Sequence, residues 1–446
     1  MQRRKFLQRT GVGSAVFSLA PTAGLAQARL SNLEASTLGL IPDSAANQTA
    51  LFSLALAKAT ASGATLKLPA GRFVLGQIEL PANCSIEGAG PNTVLALANG
   101  NNLLSAKNRT NISLKNLAFE GNNIALGNVS GGLLAFDNCQ NIAISTCSIK
   151  NHNSNGMLLN ACSGRIVENN FSNFALSAIH GQNSTGMQIS FNRISNCNNG
   201  GIRVWRNENG FDGTIVTNNQ ITDIGSQSGN GQNGNGINIY LADGVVVANN
   251  IISNCDFSAI RANSTNDIII EGNQCSNSLE VAIFSEFAFS GSIISSNIIN
   301  GAAQGISIAN LDVGGRLAIC SNNIVRNITE FSPTNPDTVP VGIFAEADTA
   351  IVSNVVENVP GAGIVAGWGP FLRNVMIANN IVRQTKIAIA ASVADGAGIA
   401  KISDNMIVGA SIAAIAGMAW DQIISNDLIA EANKYPNIYL ADNIVS

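Results

Sequence analysis

Two histidines, three tryptophans and three tyrosines are scattered through 446 residues, yet one of each falls within a span of 61. His180 stands in "AIHGQ" (178–182), Arg203 and Trp205 in "GIRVW" (201–205), and Tyr240 in "GINIY" (236–240). Arg261 follows in "AIRAN" (259–263) and Glu286 in "AIFSE" (282–286). These side chains suit one kind of chemistry. A lyase acting on a uronate needs a cation to neutralise the sugar carboxylate and a group to move the proton beside it. Arg203 or Arg261 supplies the first, and His180 or Tyr240 the second. Trp205 suits stacking on the C–H face of a sugar. A hydrolase needs two carboxylates instead, ~5–5.5 Å apart for retention or ~6.5–9.5 Å for inversion. Glu286 and Glu346 are the candidates. Plainer readings stand beside these: Arg261 and Glu286 as a surface ion pair, His180 and Tyr240 as packing groups, Trp205 as cover for the loop after it.

A strand must present these residues together. Each sits in a segment that begins with a small residue and continues apolar-x-apolar. The segment recurs as "GMLLN" (156–160), "GISIA" (305–309), "GIFAE" (342–346) and "GIVAG" (363–367). Alternation sends the second and fourth positions inward and the third and fifth outward. The outward column therefore reads Leu158/Asn160, His180/Gln182, Arg203/Trp205, Asn238/Tyr240, Arg261/Asn263, Phe284/Glu286, Ser307/Ala309 and Phe344/Glu346. From it we take His180, Arg203, Tyr240, Arg261 and Glu286 as candidate catalytic groups. Trp205, Asn238, Asn263, Phe284 and Glu346 are candidate substrate contacts.

A second pattern sets the frame: apolar-x-x-Asn-x-apolar, as in "ISFNRISN" and "VANNIISN". Its asparagines are 169, 192, 219, 250, 273, 297, 323, 354, 380, 405 and 426, with Leu117 and Cys147 in the same slot earlier. A period between about 20 and 30 residues with internal alternation specifies a solenoid. Three short strands per period give an all-β, single-stranded right-handed parallel β-helix of about thirteen coils, ~4.8 Å apart. An Asn in a tight bend tolerates left-handed backbone and can ladder with its neighbours. On that coil spacing Glu286 and Glu346, two coils apart, are ~10 Å from each other, too far for retention. Loops 206–213, 223–235 and 328–340 flank the candidate strand, and function gathers in such loops. "NQTALFSLALAKATA" (47–61) reads as a helix capping the open N-terminal end, with Asn47 as N-cap. The C-terminal "IYLADNIVS" shows no comparable cap, which exposes strand edge and makes end-to-end pairing conceivable.

Composition narrows the class. Charged residues are 12% of the chain and the net charge is −4, so there is no basic patch for nucleic acid. Arg3 and Arg4 ahead of a short apolar run, with "AQA" at 26–28, form an export signal over 1–28; the run is too short to span a bilayer, which takes ~20 residues. This start resembles a twin-arginine signal, with an ordinary secretory signal as the alternative. Residues 29–100 then form the cap and first strands, and 101–446 the repeats, with no later membrane span. The mature protein is expected in the periplasm or outside the cell. The eight cysteines form no Cys-x-x-Cys pair, so no zinc site is expected. Cys139 and Cys162 lie one coil apart, as stacked thiols or as a disulfide. His152 falls in a turn with no assigned role. Asp212, Asp223 and Asp243 lack the spacing of a calcium loop. No cofactor is expected.

The segment "LPAGRFVLGQIELPANCSIEGAGPNTVL" is similar to the entry of right-handed β-helix proteins such as pectin-acting enzymes. "RRKFLQ" joined to Asn-rich repeats resembles the bacterial twin-arginine-translocated repeat protein family, which brings no assigned activity. In the pectin and alginate groups substrate lies on the stack of first strands, which implies the same for the column above. Their catalytic signatures do not carry over. There is no Asp-Asp pair and no Asp-Pro-His-Glu, and "IHGQ" only echoes Gly-His-Gly. Two functions remain in view: an exported polysaccharide-binding protein that processes its ligand as a lyase or hydrolase, or a non-catalytic structural or protein-interaction solenoid of the cell envelope.

Overall fold

The computed structural model describes residues 31–126 and 131–446; the expected signal segment, 1–28, lies outside them. The described residues wind into a right-handed parallel β-solenoid of about 14 turns, with a single short α-helix among them. Each turn passes through three stacks, as three separate strands in the earlier turns and, in several later ones such as Gln274–Glu286, with the third and first stacks joined in one strand. In one earlier turn the three are Ser177–Gln182 in the first stack, Gln188–Ser190 in the second and Arg193–Cys197 in the third. Pairing within the stacks is parallel and in step, so equivalent residues sit directly above one another. Inward positions carry Ile, Leu, Val, Phe and Cys with almost no exposure, and they form one continuous core.

Helix α1 (Thr49–Ala61) closes the N-terminal end. It buries Phe52, Ala55, Leu56 and Ala59. The N-cap is Gln48, not Asn47 as expected; Asn47, one residue earlier, accepts from the Thr49 amide through Oδ1, while Gln48 clamps both backbone groups of Ile41.

The asparagine ladder exists, with two corrections. Each Asn Nδ2 donates to Oδ1 of the next at about 3.0 Å, from Asn169 through to Asn405. The ladder residues do not themselves adopt left-handed backbone. That conformation falls on the residue before each: Glu168, Phe191, Asn218, Asn249, Ser296, Asn322, Ser353, Asn379 and Asp404 all have φ near +60°. The ladder Asn is there because it is buried and fully hydrogen-bonded, not because it relieves the turn. The last rung is Asn443, which takes the Asn405 bond at 2.9 Å, and not Asn426. Residues Gln422–Ser425 instead turn back antiparallel on the strand Met406–Ala419. Leu428 then drops fully buried into the core, so the C-terminal end carries a plug the sequence pattern did not reveal.

All eight cysteines are buried free thiols. Cys139 and Cys162 are among them, so the stacked-thiol alternative holds and the disulfide does not; burial pushes the Cys162 thiol up to about 12. His152 is not in a turn. It ends the strand Ser148–His152 with no exposure, and burial lowers its pKa to about 4. Among the described residues no helix is long and apolar enough to cross a membrane.

Candidate functional site

The outward column of the first stack forms as the alternation requires. Ile202, Ile237 and Ile239 are fully buried inward, and register places His180, Arg203, Asn238, Arg261, Phe284, Ser307 and Phe344 in one line. Beside it runs the line Asn160, Gln182, Trp205, Tyr240, Asn263 and Glu286.

Two clusters occupy this surface. The first is aromatic. Trp205 meets the His180 ring edge-on at 5.1 Å and the Tyr240 ring at 6.1 Å. The Arg203 guanidinium lies 4.7 Å from the indole centroid, a cation–π contact. Trp205 Nε1 donates to Asn238 Oδ1 at 3.1 Å, which fixes the ring. Arg203 is only 8% exposed, because loop 223–235 folds over it. Its Nη2 donates to Asn233 Oδ1 and to the Asn199 carbonyl, at 2.6 and 2.8 Å. The same loop accepts from Asn238 through the Gln232 carbonyl. On the opposite side the strand Gly200–Phe211 runs out past the stack, where Asn207 accepts from Gln182 and Asn209 donates to Asp243. Trp205 and Tyr240 thus lie between two walls, with Tyr240 39% exposed.

The second cluster is ionic. Arg261 grips Glu286 with two parallel bonds of 2.6 and 2.8 Å and Glu280 with a third of 2.9 Å. Its guanidinium also lies over the Phe284 ring, and Asn263 donates to Glu286. Both glutamates are 2% exposed, so this is a buried triad rather than a surface pair. Sequence reading missed Glu280 because it falls at a register shift between Ser278 and Val281, where alternation breaks. Loop 328–340 reaches the triad through Asn335, which donates to Glu280.

Electrostatics separates the two. Burial, aided by the positive charge of Arg203, lowers the His180 pKa to about 4, so the imidazole is neutral at neutral pH. Burial brings Arg203 down to about 10, still charged. Burial would lower Arg261, but Glu286 and Glu280 outweigh it and raise it. Glu346 accepts from the Leu311 amide at 2.6 Å, and burial raises its pKa. Glu286 and Glu346 therefore do not face one another as an acid–base pair; each is committed elsewhere.

The aspartates are structural partners: Asp212 accepts from the Thr214 amide, Asp223 from Asn254 and Asp243 from Asn266. Toward the N-terminus the column opens into a cleft of about 680 Å³ lined by Glu79, Lys107, Asp137, Leu158, Asn160 and His180 among others. Sequence reading stopped at Leu158 and did not include its charged end.

No family model matches the chain, and no curated protein matches it in sequence. Solved structures do match in fold. A tailspike protein of E. coli bacteriophage HK620, solved with a hexasaccharide, superimposes with a TM-score of 0.60 at 12% identity, over 92% of this chain and 80% of that one. The alginate lyase AlyF-OU02 gives 0.51 at 15% identity, over 89% and 88%. At such identities the likeness shows the fold alone, a right-handed parallel β-helix.

Proposed function

We propose that this is an exported polysaccharide-binding protein, of the twin-arginine-translocated repeat type, that holds a glycan across the aromatic rung of its first stack. The observation that carries the proposal is Trp205. A large ring is fixed edge-on between His180 and Tyr240, backed by a cation, and set between two loop walls. An aromatic face with flanking amides suits a pyranose, which offers C–H groups on one face and hydroxyls around its rim. Gln182, Asn160 and Asn263 supply those amides on the neighbouring coils. That a tailspike and an alginate lyase are built on the same scaffold, one with a hexasaccharide, adds support.

Of the two reactions, lyase or hydrolase, we propose elimination. The hydrolase pair Glu286 and Glu346 is engaged elsewhere. His180, neutral and with Nε2 3.4 Å from Gln182 Oε1, would accept the proton beside a uronate carboxylate through its other ring nitrogen, and the hydroxyl of Tyr240 would give its proton to the departing glycosidic oxygen. The C–H bond there breaks, the glycosidic C–O bond follows, and an unsaturated end results. The test is a glycan panel scored for binding, for unsaturated ends and for new reducing ends, with Trp205→Ala and Arg203→Ala beside wild type. Loss of Trp205 should weaken binding at least tenfold; binding indifferent to both substitutions would sink the assignment.

A further inference from the structure

The same stack changes character in its last coils. From Ser307 the outward line continues through Phe344, Val365, Ala390 and Ala416, and a second line runs Val341, Ala362, Ile387 and Ala413. Polar side chains give way to apolar ones, and these residues form a hydrophobic cluster separate from the main core. Above them lies a cleft of about 470 Å³, within the ~300–1,000 Å³ of small-molecule sites. The four steps from Ser307 to Ala416 span about 19 Å at the strand spacing.

Both walls are built. One is the end of loop 328–340, where Val339 and Pro340 line the cleft. Gly361 lets it close: a Cβ there would come within 2.1 Å of the Pro340 carbonyl. The other wall is aromatic, with Trp420 meeting Trp368 edge-on at 6.0 Å and Phe371 at 6.3 Å. Trp420 is held at φ +56°, a costly conformation for a bulky residue, and yet is 47% exposed. Gly369 makes room for it. A strained, exposed tryptophan is a poor structural choice and a good ligand wall.

The occupant follows from what the floor lacks. On the lines from Val341 to Ala413 and from Val365 to Ala416 it is alanine, valine and isoleucine, with no side-chain donor or acceptor; Gln304, Ser307 and Ser392 complete the lining outside those stretches. A sugar would lose water from its hydroxyls with nothing in return. An added peptide strand would fare no better on the coils through Ile387 and Ala390, whose backbone is already paired above and below within the stack; the last strand, Met406–Ala419, is paired on its outer side only at its two ends. A hydrocarbon chain has no polar groups to strand. The polar groups stand at the edges, where Asp337, Lys386 and Asp421 line the rim. Lys386 is the cation among them, exposed and in no ion pair among the described residues. We propose that this trough binds a long-chain fatty acid, the chain along the apolar floor and the carboxylate at Lys386.

The test uses the two trough tryptophans as reporters in a Trp205→Phe background, so that it does not depend on the glycan reading. Decanoate, dodecanoate and tetradecanoate are titrated below micelle formation. The expected result is a saturable, one-to-one change in emission, with affinity rising roughly fourfold per added methylene. Ile412→Asp, at a rim position already 52% exposed, and Met418→Asp should each weaken binding at least tenfold while the melting temperature of the first is unchanged. Lys386→Gln, or dodecanol in place of dodecanoate, should cost about two- to fivefold. Affinity independent of chain length would overturn the proposal. So would binding that Ile412→Asp leaves intact, or a response of these tryptophans to oligosaccharides but not to fatty acids.

Discussion

Arg261 holds two carboxylates that would otherwise be buried without a counter-charge. Removing one member of such a group costs about 3–5 kcal/mol, because the stranded charge has no water to turn to. Arg261→Ala should therefore lower unfolding stability by that order in a denaturant titration, while Arg261→Lys, which cannot fork to both glutamates, should recover only part. The histidines set a second expectation. His180 and His152 both have folded pKa values near 4, below the ~6.5 of an unfolded chain. The unfolded state therefore binds protons first as pH falls. Their contribution to stability is full above about pH 7 and is lost between roughly pH 6.5 and 4. Comparing pH–stability curves of wild type and a His152→Phe/His180→Gln double variant isolates it; identical slopes in that window would count against the buried, neutral assignment.

At the scale of the repeat, the ladder separates asparagines that look alike in sequence. Asn273 accepts from the Asn250 amide and Nδ2, and donates to Asn297 and the Val247 carbonyl. Asn273→Ala strands several buried groups, each worth ~1–3 kcal/mol, and should destabilise by about 3 kcal/mol or more. Asn426→Ala, off the ladder, should stay within about 0.5 kcal/mol. Equal effects in thermal or chemical denaturation would contradict the rung assignment. This contrast also marks where sequence stops being legible. The Asn spacing gives the coil, the three strands and the outward column, because period and alternation are one-dimensional. It does not distinguish Asn426 from Asn443, because the hairpin at 422–425 borrows the repeat's wording without its path. Glu280 escaped because a register shift erases alternation. The trough escaped because apolar letters read as core whichever way they face. Arg203 and Glu286 were rightly placed outward, but their burial depends on neighbouring coils and loops that no local pattern encodes.

Across the whole molecule, one stack presents three surfaces in succession: an aromatic rung around Trp205, the Arg261 triad, and the apolar trough. Loop 328–340 touches the last two, with Asn335 on Glu280 and Pro340 over Gly361. The ladder beneath runs in one sense throughout, every Nδ2 reaching toward the next coil. Each coil therefore ends as it began, and length becomes a countable quantity. Deleting residues 148–169 removes one turn and brings the Cys147 rung against Asn192; the shortened chain should still fold cooperatively, about 4.8 Å shorter by small-angle scattering. Deleting 148–158 should not fold, since it leaves the winding half a lap out of step. Such a chain resembles a ruled tape: it is shortened by whole divisions, while extra length within a division is taken up as slack in its loops.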